Sequence, residues 1–303
     1  MRFLVLSARP ELRTNARLAE AAAELAIEHT VVDGAILSAL LDGGQLKPLH
    51  TGDMFPVPDT LLARVGNWRP ESLLAVLEAL VERGAATPNP ADAIRVGRDH
   101  WRTVKALAAA GLPVPSTLAG AEPETLAASA VRHLGLPVVV KQRRSRMGVG
   151  VIRCTELDHL EAVLDSLWRM GDEVVVQRWV AGGEKSYRLL VVGKSVVAAA
   201  CFSAAEGEWR SNAARGGSAT AHDPSADECA LATAAASALG LGHCGVDLLV
   251  GESGPIVVEV NPTPGFLQLE KATGINVARA LVEHAVGCAS RPPARGETAD
   301  HAD

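Results

Sequence analysis

The chain opens with four consecutive apolar residues, Phe3-Leu4-Val5-Leu6, which read as a buried strand. An Ala-rich stretch over 11–26 predicts a helix, 29–33 a second short strand, and 73–83 an amphipathic helix. Strand and helix alternating in this way favour a parallel sheet with helices on its faces. Pro88 and Pro90 interrupt the pattern, and a helix over about 91–110 follows, stopped by Gly111 and Pro113. Past that helix the pattern changes. Pro137-Val138-Val139-Val140-Lys141 is a short apolar strand ending in a cation. A glycine loop follows it, Ser145-Arg146-Met147-Gly148-Val149-Gly150, then a helix over 158–169 and a strand over 173–177. Two hairpins are expected next, 187–202 around Gly193-Lys194 and 245–261 around 251–254, with a helix over 226–238 between them. A last helix spans about 277–286, and the polar stretch 291–303 reads as a disordered tail.

This pattern predicts a mixed α/β fold in three subdomains: an N-terminal parallel-sheet domain (1–90), a central unit with its linker helix (91–184) and a C-terminal unit (185–290). A length of 303 residues agrees, being more than one hydrophobic core usually holds. Aromatic residues supply only 3% of the chain, so packing must rest on Ala, Val and Leu. Charge adds an exclusion: 29 Lys and Arg against 35 Asp and Glu give no general reason to bind nucleic acid or an anionic membrane. No apolar stretch reaches the roughly 18 residues of a membrane span. The start of the chain lacks a signal-peptide pattern. Five scattered cysteines without a C-x-x-C fit reduced thiols in a cytoplasmic protein.

Three segments carry candidate chemistry. In the second hairpin, a three-residue loop at 252–254 would set 251 opposite 255, 249 opposite 257 and Asp247 opposite Glu259. Those two Cβ atoms would then lie about 4.5–5.5 Å apart, on the same face as Asn261. Two acids and an amide oxygen so placed repel unless a cation joins them, and they suit Mg²⁺ shared with substrate phosphates. A two-residue loop would put Asp247 on the other face, and a solvated sheet face would show the same spacing. The second segment is Lys141 with its glycine loop and Arg143, Arg144 and Arg146, where backbone N–H groups and a cation could meet phosphate. An ordinary turn with surface arginines is the plainer reading. The third is Trp209-Arg210-Ser211-Asn212-Ala213-Ala214-Arg215-Gly216-Gly217, able to grip carboxylate or phosphoryl oxygens or merely to face solvent. Both common nucleotide fingerprints, G-x-x-x-x-G-K-[ST] and G-x-G-x-x-G after a strand, are absent.

In this order the segments resemble the RimK-like group of ATP-grasp ligases, the alpha-L-glutamate ligase type. The resemblance rests on Pro137–Lys141 with its loop, Val176-Gln177-Arg178-Trp179-Val180, the Arg-Ser-Asn-x-x-Arg-Gly-Gly run, Gly245-Val246-Asp247, and Glu259-Val260-Asn261-Pro262-Thr263-Pro264-Gly265. It implies an ATP-grasp fold with ATP between the central and C-terminal units. Asp247, Glu259 and Asn261 would hold Mg²⁺, with Mn²⁺ as a substitute. Lys141, Gly148 and Gly150 would meet the phosphates. Gln177, Arg178, Trp179 and Val180 would border the adenine, largely through backbone groups. Ser186, Arg188 and His100 would complete the nucleotide side, and Arg210, Asn212 and Arg215 would steady the transferring phosphoryl group or the acyl substrate. Arg64 resembles a position that holds a substrate carboxylate.

The implied reaction activates a carboxylate as an acyl phosphate, which an amine attacks to give an amide, ADP and phosphate. The amine would be an amino acid, glutamate first. The acceptor carboxylate would sit on a metabolite, peptide, carrier protein or protein C-terminus, with homo-oligomer assembly left open. Three positions depart from the family pattern: His100 stands where Lys is common, Arg178 where an acid is common, and Ser186 where an acid faces the ribose. These departures motivate an alternative, a non-catalytic nucleotide-binding homologue acting as a partner protein.

Overall fold

The structure, a computed structural model, describes residues 1–144, 150–181, 185–204, 218–251 and 254–290. The N-terminal unit holds β1 (Arg2–Ser7), α1 (Arg13–Glu24), β2 (Glu28–Asp33), β3 (Leu37–Asp42), β4 (Gln45–His50), β5 (Asp53–Met54), β6 (Thr60–Arg64) and α2 (Pro70–Glu82). Strands β2-β1-β6 form the expected parallel sheet, and β3-β4-β5 form a small antiparallel sheet beside it. Strands β1 and β6 are apolar on both faces because both are covered, whereas the edge strand β2 is half polar. Leu4, Leu6, Leu61 and Ala63 pack under α2, whose Leu73, Leu74, Leu77 and Leu80 share one buried side.

The helix expected over 91–110 is two: α3 (Ala91–Gly97) and α4 (His100–Ala109). The break follows from Asp99, which adopts extended backbone and accepts a hydrogen bond from the Arg102 N–H at 3.0 Å, an N-cap that starts a new helix.

The central unit follows with β7 (Thr117–Ala119), α5 (Pro123–His133), β8 (Val138–Gln142), β9 (Val151–Cys154), α6 (Leu157–Arg169) and β10 (Val174–Arg178). Its antiparallel sheet runs β7-β10-β8-β9. Val138, Val140 and Val176 point to α5 and α6, so the alternate residues Val139, Lys141 and Gln177 face the other way.

The C-terminal unit has β11 (Lys185–Val192), β12 (Ser195–Ser203), β13 (Ser218–Ala221), α7 (Ala226–Ala238), β14 (His243–Gly251), β15 (Gly254–Asn261), α8 (Leu267–Thr273) and α9 (Val277–Ala289). Its antiparallel sheet runs β13-β12-β11-β14-β15. One face packs on α7 through Leu189, Val191, Val246, Leu248 and Val260. The opposite face, through Leu190, Val192, Ala198, Ala200 and Phe202, shares a core with α1, α9 and the N-terminal sheet residues Phe3, Val5 and Leu62. Two polar links cross this core: the Thr60 hydroxyl donates to the Ala285 carbonyl at 2.7 Å, and Arg17 pairs with Glu270 at 3.2 Å. Among the described residues no helix is long and apolar enough to cross a membrane.

Candidate functional site

The acidic pair forms by a route other than the expected one. Gly251 pairs with Gly254, so the connection has two residues rather than three, and Leu249 faces Ile256 rather than Val257. Left regular, this register would set Asp247 against Val258. A bulge between the pairs Leu248–Val257 and Asp247–Glu259 adds one residue, Val258, to β15 and restores Asp247 opposite Glu259. The missing loop residue is supplied within the strand. Asn261 pairs with Gly245 on the same face, and its Oδ1 accepts from the Thr263 N–H at 2.9 Å.

Two cations answer these carboxylates. Arg188 lies opposite Asp247 on β11 and grips it with two bonds, Nε to Oδ1 at 2.6 Å and Nη2 to Oδ2 at 2.5 Å. Lys141 comes from the central sheet, and its Nζ reaches the bulge carbonyl of Val258 at 3.5 Å. Burial pushes the Lys141 ammonium below its ordinary range, against the pull of Glu259 and Asp247. Burial works against the Arg188 charge too, but Asp247, backed by Glu259, outweighs it and holds the guanidinium above its ordinary range. The Asp247 carboxyl is pushed up by burial, which Arg188 resists and Glu259 reinforces.

His100 sits beside Lys141 at the start of α4. Burial first, then the Lys141 charge, push its pKa down to about 3, with Asp99 opposing. The imidazole is therefore neutral near pH 7 and supplies no charge to a phosphate. His100, Thr103, Arg98 and Gly97 share a small polar cavity with Glu259, Asn261 and Pro262.

The strand end expected beside adenine leads toward the C-terminal sheet: a Cβ added to Gly251 would lie 3.7 Å from Val180 Cγ1. The Gln177 side chain is buried and donates to the Thr117 hydroxyl at 3.0 Å, while Arg178 turns away to the His133 carbonyl at 3.0 Å. The Trp179 ring carries the Arg153 guanidinium over it at 4.4 Å. Ser186 lies on the Arg188 face of β11, opposite Phe202. Gly150 has φ of +71°, and a Cβ there would strike the Gln142 side chain at 2.3 Å. Gly148, Arg146, Trp209, Arg210, Asn212 and Arg215 lie outside the described residues, as does the tail 291–303.

Arg64 ends β6 at the carboxyl edge of the parallel sheet. Its Nη2 donates to the Pro264 carbonyl at 3.0 Å, and burial lowers its pKa to about 10. Its Nη1 is buried with no hydrogen-bond partner among the described residues, and the same holds for His243 Nδ1 and Thr263 Oγ1. An orphaned guanidinium donor costs free energy unless a ligand or water completes it. A Cβ on Gly245 would meet Pro264 Cβ at 3.1 Å and Arg188 Cδ at 3.8 Å, so Gly245 is bordered both by Arg188 and by the proline whose carbonyl Arg64 binds.

Sequence reasoning missed Asn89. It is 1% exposed and ties three backbone groups together: its Nδ2 donates to the His243 carbonyl at 2.9 Å and the Pro262 carbonyl at 3.0 Å, and its Oδ1 accepts from His243 N–H at 3.1 Å. It thereby fixes the residue after Asn261. Pro88 and Pro90 on either side marked a boundary, and only the tertiary fold gives the amide its partners.

Asp247, Glu259 and Asn261 offer an all-oxygen set on one face, and two part-buried cations, Lys141 and Arg188, already answer its negative charge. The oxygen set fits Mg²⁺, which keeps waters and substrate oxygens among its ligands. Among the described residues no group of three or more His, Cys, Asp or Glu offers another metal cluster.

The RimK-like ATP-grasp domain model matches residues 97–285. A probable alpha-L-glutamate ligase of Marinomonas sp. (strain MWYL1) is 33% identical over 288 residues, covering 94% of this chain and 95% of that protein. One from Xanthomonas euvesicatoria pv. vesicatoria (strain 85-10) is 34% identical over 288 residues, 94% of this chain and 97% of that one. Among solved structures, the ATP-grasp ligase PsnB complexed with minimal precursor superposes with a TM-score of 0.74 at 21% identity, over 94% of this chain and 98% of that one. The RimK domain protein from Sphaerobacter thermophilus gives 0.72 at 24% identity, over 95% and 100%.

Proposed function

The chain belongs to the RimK-like ATP-grasp family, and from that premise we propose that it joins a carboxylate to an amine through an acyl phosphate, releasing ADP and phosphate. It is an ATP-grasp ligase. The amine in this reading is an amino acid, glutamate before others because the curated relatives are named for it. The acceptor is a carboxylate on a metabolite, peptide, carrier protein or protein C-terminus.

The observation that carries the reading is the meeting of Lys141 from the central sheet with the Asp247–Glu259 pair of the C-terminal sheet. A cation on one jaw and a carboxylate pair on the other are what nucleotide phosphates and their metal require between them. Asp247, Glu259 and Asn261 would hold Mg²⁺, whose chemistry is to offset charge on the transferring oxygens. Lys141 neutralises phosphate charge from the opposite side, and Arg188 orients Asp247 and opposes the burial that raises its pKa. Gln177 to Val180 border the base through backbone groups. Arg64, with an unpaired buried donor, receives the substrate carboxylate at the edge of the site. Arg210, Asn212 and Arg215 steady the phosphoryl or acyl group. Closing the jaws excludes water, which would otherwise hydrolyse the acyl phosphate.

Thermal unfolding with and without Mg·ATP, in wild type and Glu259→Gln, tests the site. Nucleotide at 100 times its dissociation constant stabilises the fold by about 2.7 kcal/mol, and this gain should need Mg²⁺ and shrink in the variant. Product analysis with glutamate then tests the reaction: ADP with an amide supports it, and AMP in place of ADP overturns it.

A further inference from the structure

We propose that the junction between α3 and α4, held by the Asp99–Arg143 ion pair, is the positioning device that brings the three parts of the ligase site into one frame. The inference rests on the ligase reading above. Seven residues, 97–103, touch all three units, and the contact with each unit falls one or two residues after a site residue. Arg98 Nη1 donates to the carbonyl of Val65, which follows Arg64, at 3.0 Å. His100 N–H donates to the carbonyl of Arg143, two residues after Lys141, at 2.9 Å. Gly97 lies against Pro262, which follows Asn261; a Cβ there would stand 3.1 Å from Pro262 Cδ. Thr103 Oγ1 donates to the Val96 carbonyl at 2.8 Å and locks α4 to α3.

The charged element of this device is Asp99. It is 2% exposed, so its carboxylate requires compensation. Its Oδ1 caps α4 and also accepts from Arg143 Nε at 3.0 Å, and Nε stands 3.0 Å from Oδ2 as well. Arg144 and Arg102 stand farther off, each 3.9 Å from Oδ2. Arg143 in turn is anchored to the central sheet: its N–H donates to the Glu173 carbonyl at 2.7 Å and its Nη1 to Glu173 Oε1 at 3.2 Å. The strand carrying Lys141 is therefore tied, at the point where the glycine loop begins, to the same turn that abuts the residue after Asn261. Without the pair, main-chain bonds still hold the fold. What is lost is the fixed distance between the Lys141 jaw and the Glu259 jaw.

Asp99→Asn isolates the charge, because Asn caps a helix as well as Asp does. Arg143→Met removes the partner, and Arg143→Lys keeps its charge. Calorimetric binding of Mg·ATP and steady-state ADP release are measured on all three, on the double variant and on wild type. We expect Asp99→Asn and Arg143→Met each to weaken Mg·ATP binding about tenfold, as supporting residues of a site do. The double variant should be no worse than either single one, since one interaction is lost in each, and Arg143→Lys should recover most of the affinity. Affinity within twofold of wild type in both single variants, with only the melting temperature lowered, overturns the proposal and leaves a purely structural pair. Losses that add in the double variant overturn it as well. Should Asp99→Asn fail to fold, the partly exposed Arg143→Met and Arg143→Lys pair decides. Wild type that fails to bind Mg·ATP overturns the ligase reading and this device together.

Discussion

Asp247 faces Glu259 across β14 and β15 because Val258 bulges from the ladder. The same bulge turns the Val258 carbonyl toward Lys141. One extra strand residue thus aligns two carboxylates and receives the cation that answers them.

Removing the other cation should expose how much the pair depends on compensation. Arg188→Met leaves Asp247 and Glu259 partly buried and facing with one positive charge fewer; breaking a fully buried pair costs about 3 kcal/mol, which bounds the loss here. Denaturant titration at pH 7 should show that loss. Adding Asp247→Asn, or millimolar Mg²⁺ alone, should restore part of it, and Mg²⁺ should stabilise the variant more than wild type.

Arg64→Lys keeps a positive charge and removes the forked donor. Steady-state kinetics should show the KM for the acceptor carboxylate rising about tenfold or more, while calorimetric Mg·ATP affinity stays near wild type.

His100→Lys places a second ammonium beside Lys141. The empty protein should melt lower, because like charges then crowd a part-buried position, and ATP should bind several-fold tighter by relieving that repulsion. Unchanged or weaker ATP affinity would show that the neutral imidazole is not a charge deficit.

Asn89→Ala strands the His243 and Pro262 carbonyls and the His243 N–H in the interior. At about 1–3 kcal/mol for each unsatisfied group, and with partial relaxation, a loss of about 3 kcal/mol is expected. The urea midpoint should fall without a change in m-value.

Acid should destabilise the fold through His243. Burial, then the charges of Arg64 and His284, depress its pKa from 6.5 to about 3. Below pH 6.5 the unfolded chain takes up a proton that the folded one refuses, so stability falls as pH drops toward 3. The slope is about 1.4 kcal/mol per pH unit for this group. Between pH 7.5 and 5.0 wild type should therefore lose about 2 kcal/mol more than His243→Asn, which keeps the backbone bonds to Asn89.

What the sequence revealed and what it hid divide along physical lines. The helix 226–238 was legible from its run of strong helix formers, chiefly alanine, and the strand at Lys141 from its three consecutive valines after a proline. The facing of Asp247 and Glu259 was foreseen through a three-residue loop, whereas the fold achieves it with a bulge, which has no sequence signature in a run of valines. The strands at 37–64 were missed since short segments bounded by polar residues give little periodic signal. Asp99 read as the interior of one helix, for its partner Arg143 lies 44 positions along the chain. Arg64 stood out as a cation ending an apolar run, and its unpaired donor needed coordinates.

The core shared by the two ends of the chain has a consequence for synthesis. Phe3, Val5 and Leu62 share a core with α9, which is made more than 200 residues after them. A nascent chain can pair β1, β2 and β6 early, yet the face of that sheet covered by Leu18, Ala21 and Ala22 of α1 lacks the rest of its core until residues 277–285 leave the ribosome. Contacts of such sequence separation form slowly and leave apolar surface open to aggregation meanwhile. The central unit, with a core of its own, is free of that delay and can be complete while both its neighbours still wait for α9.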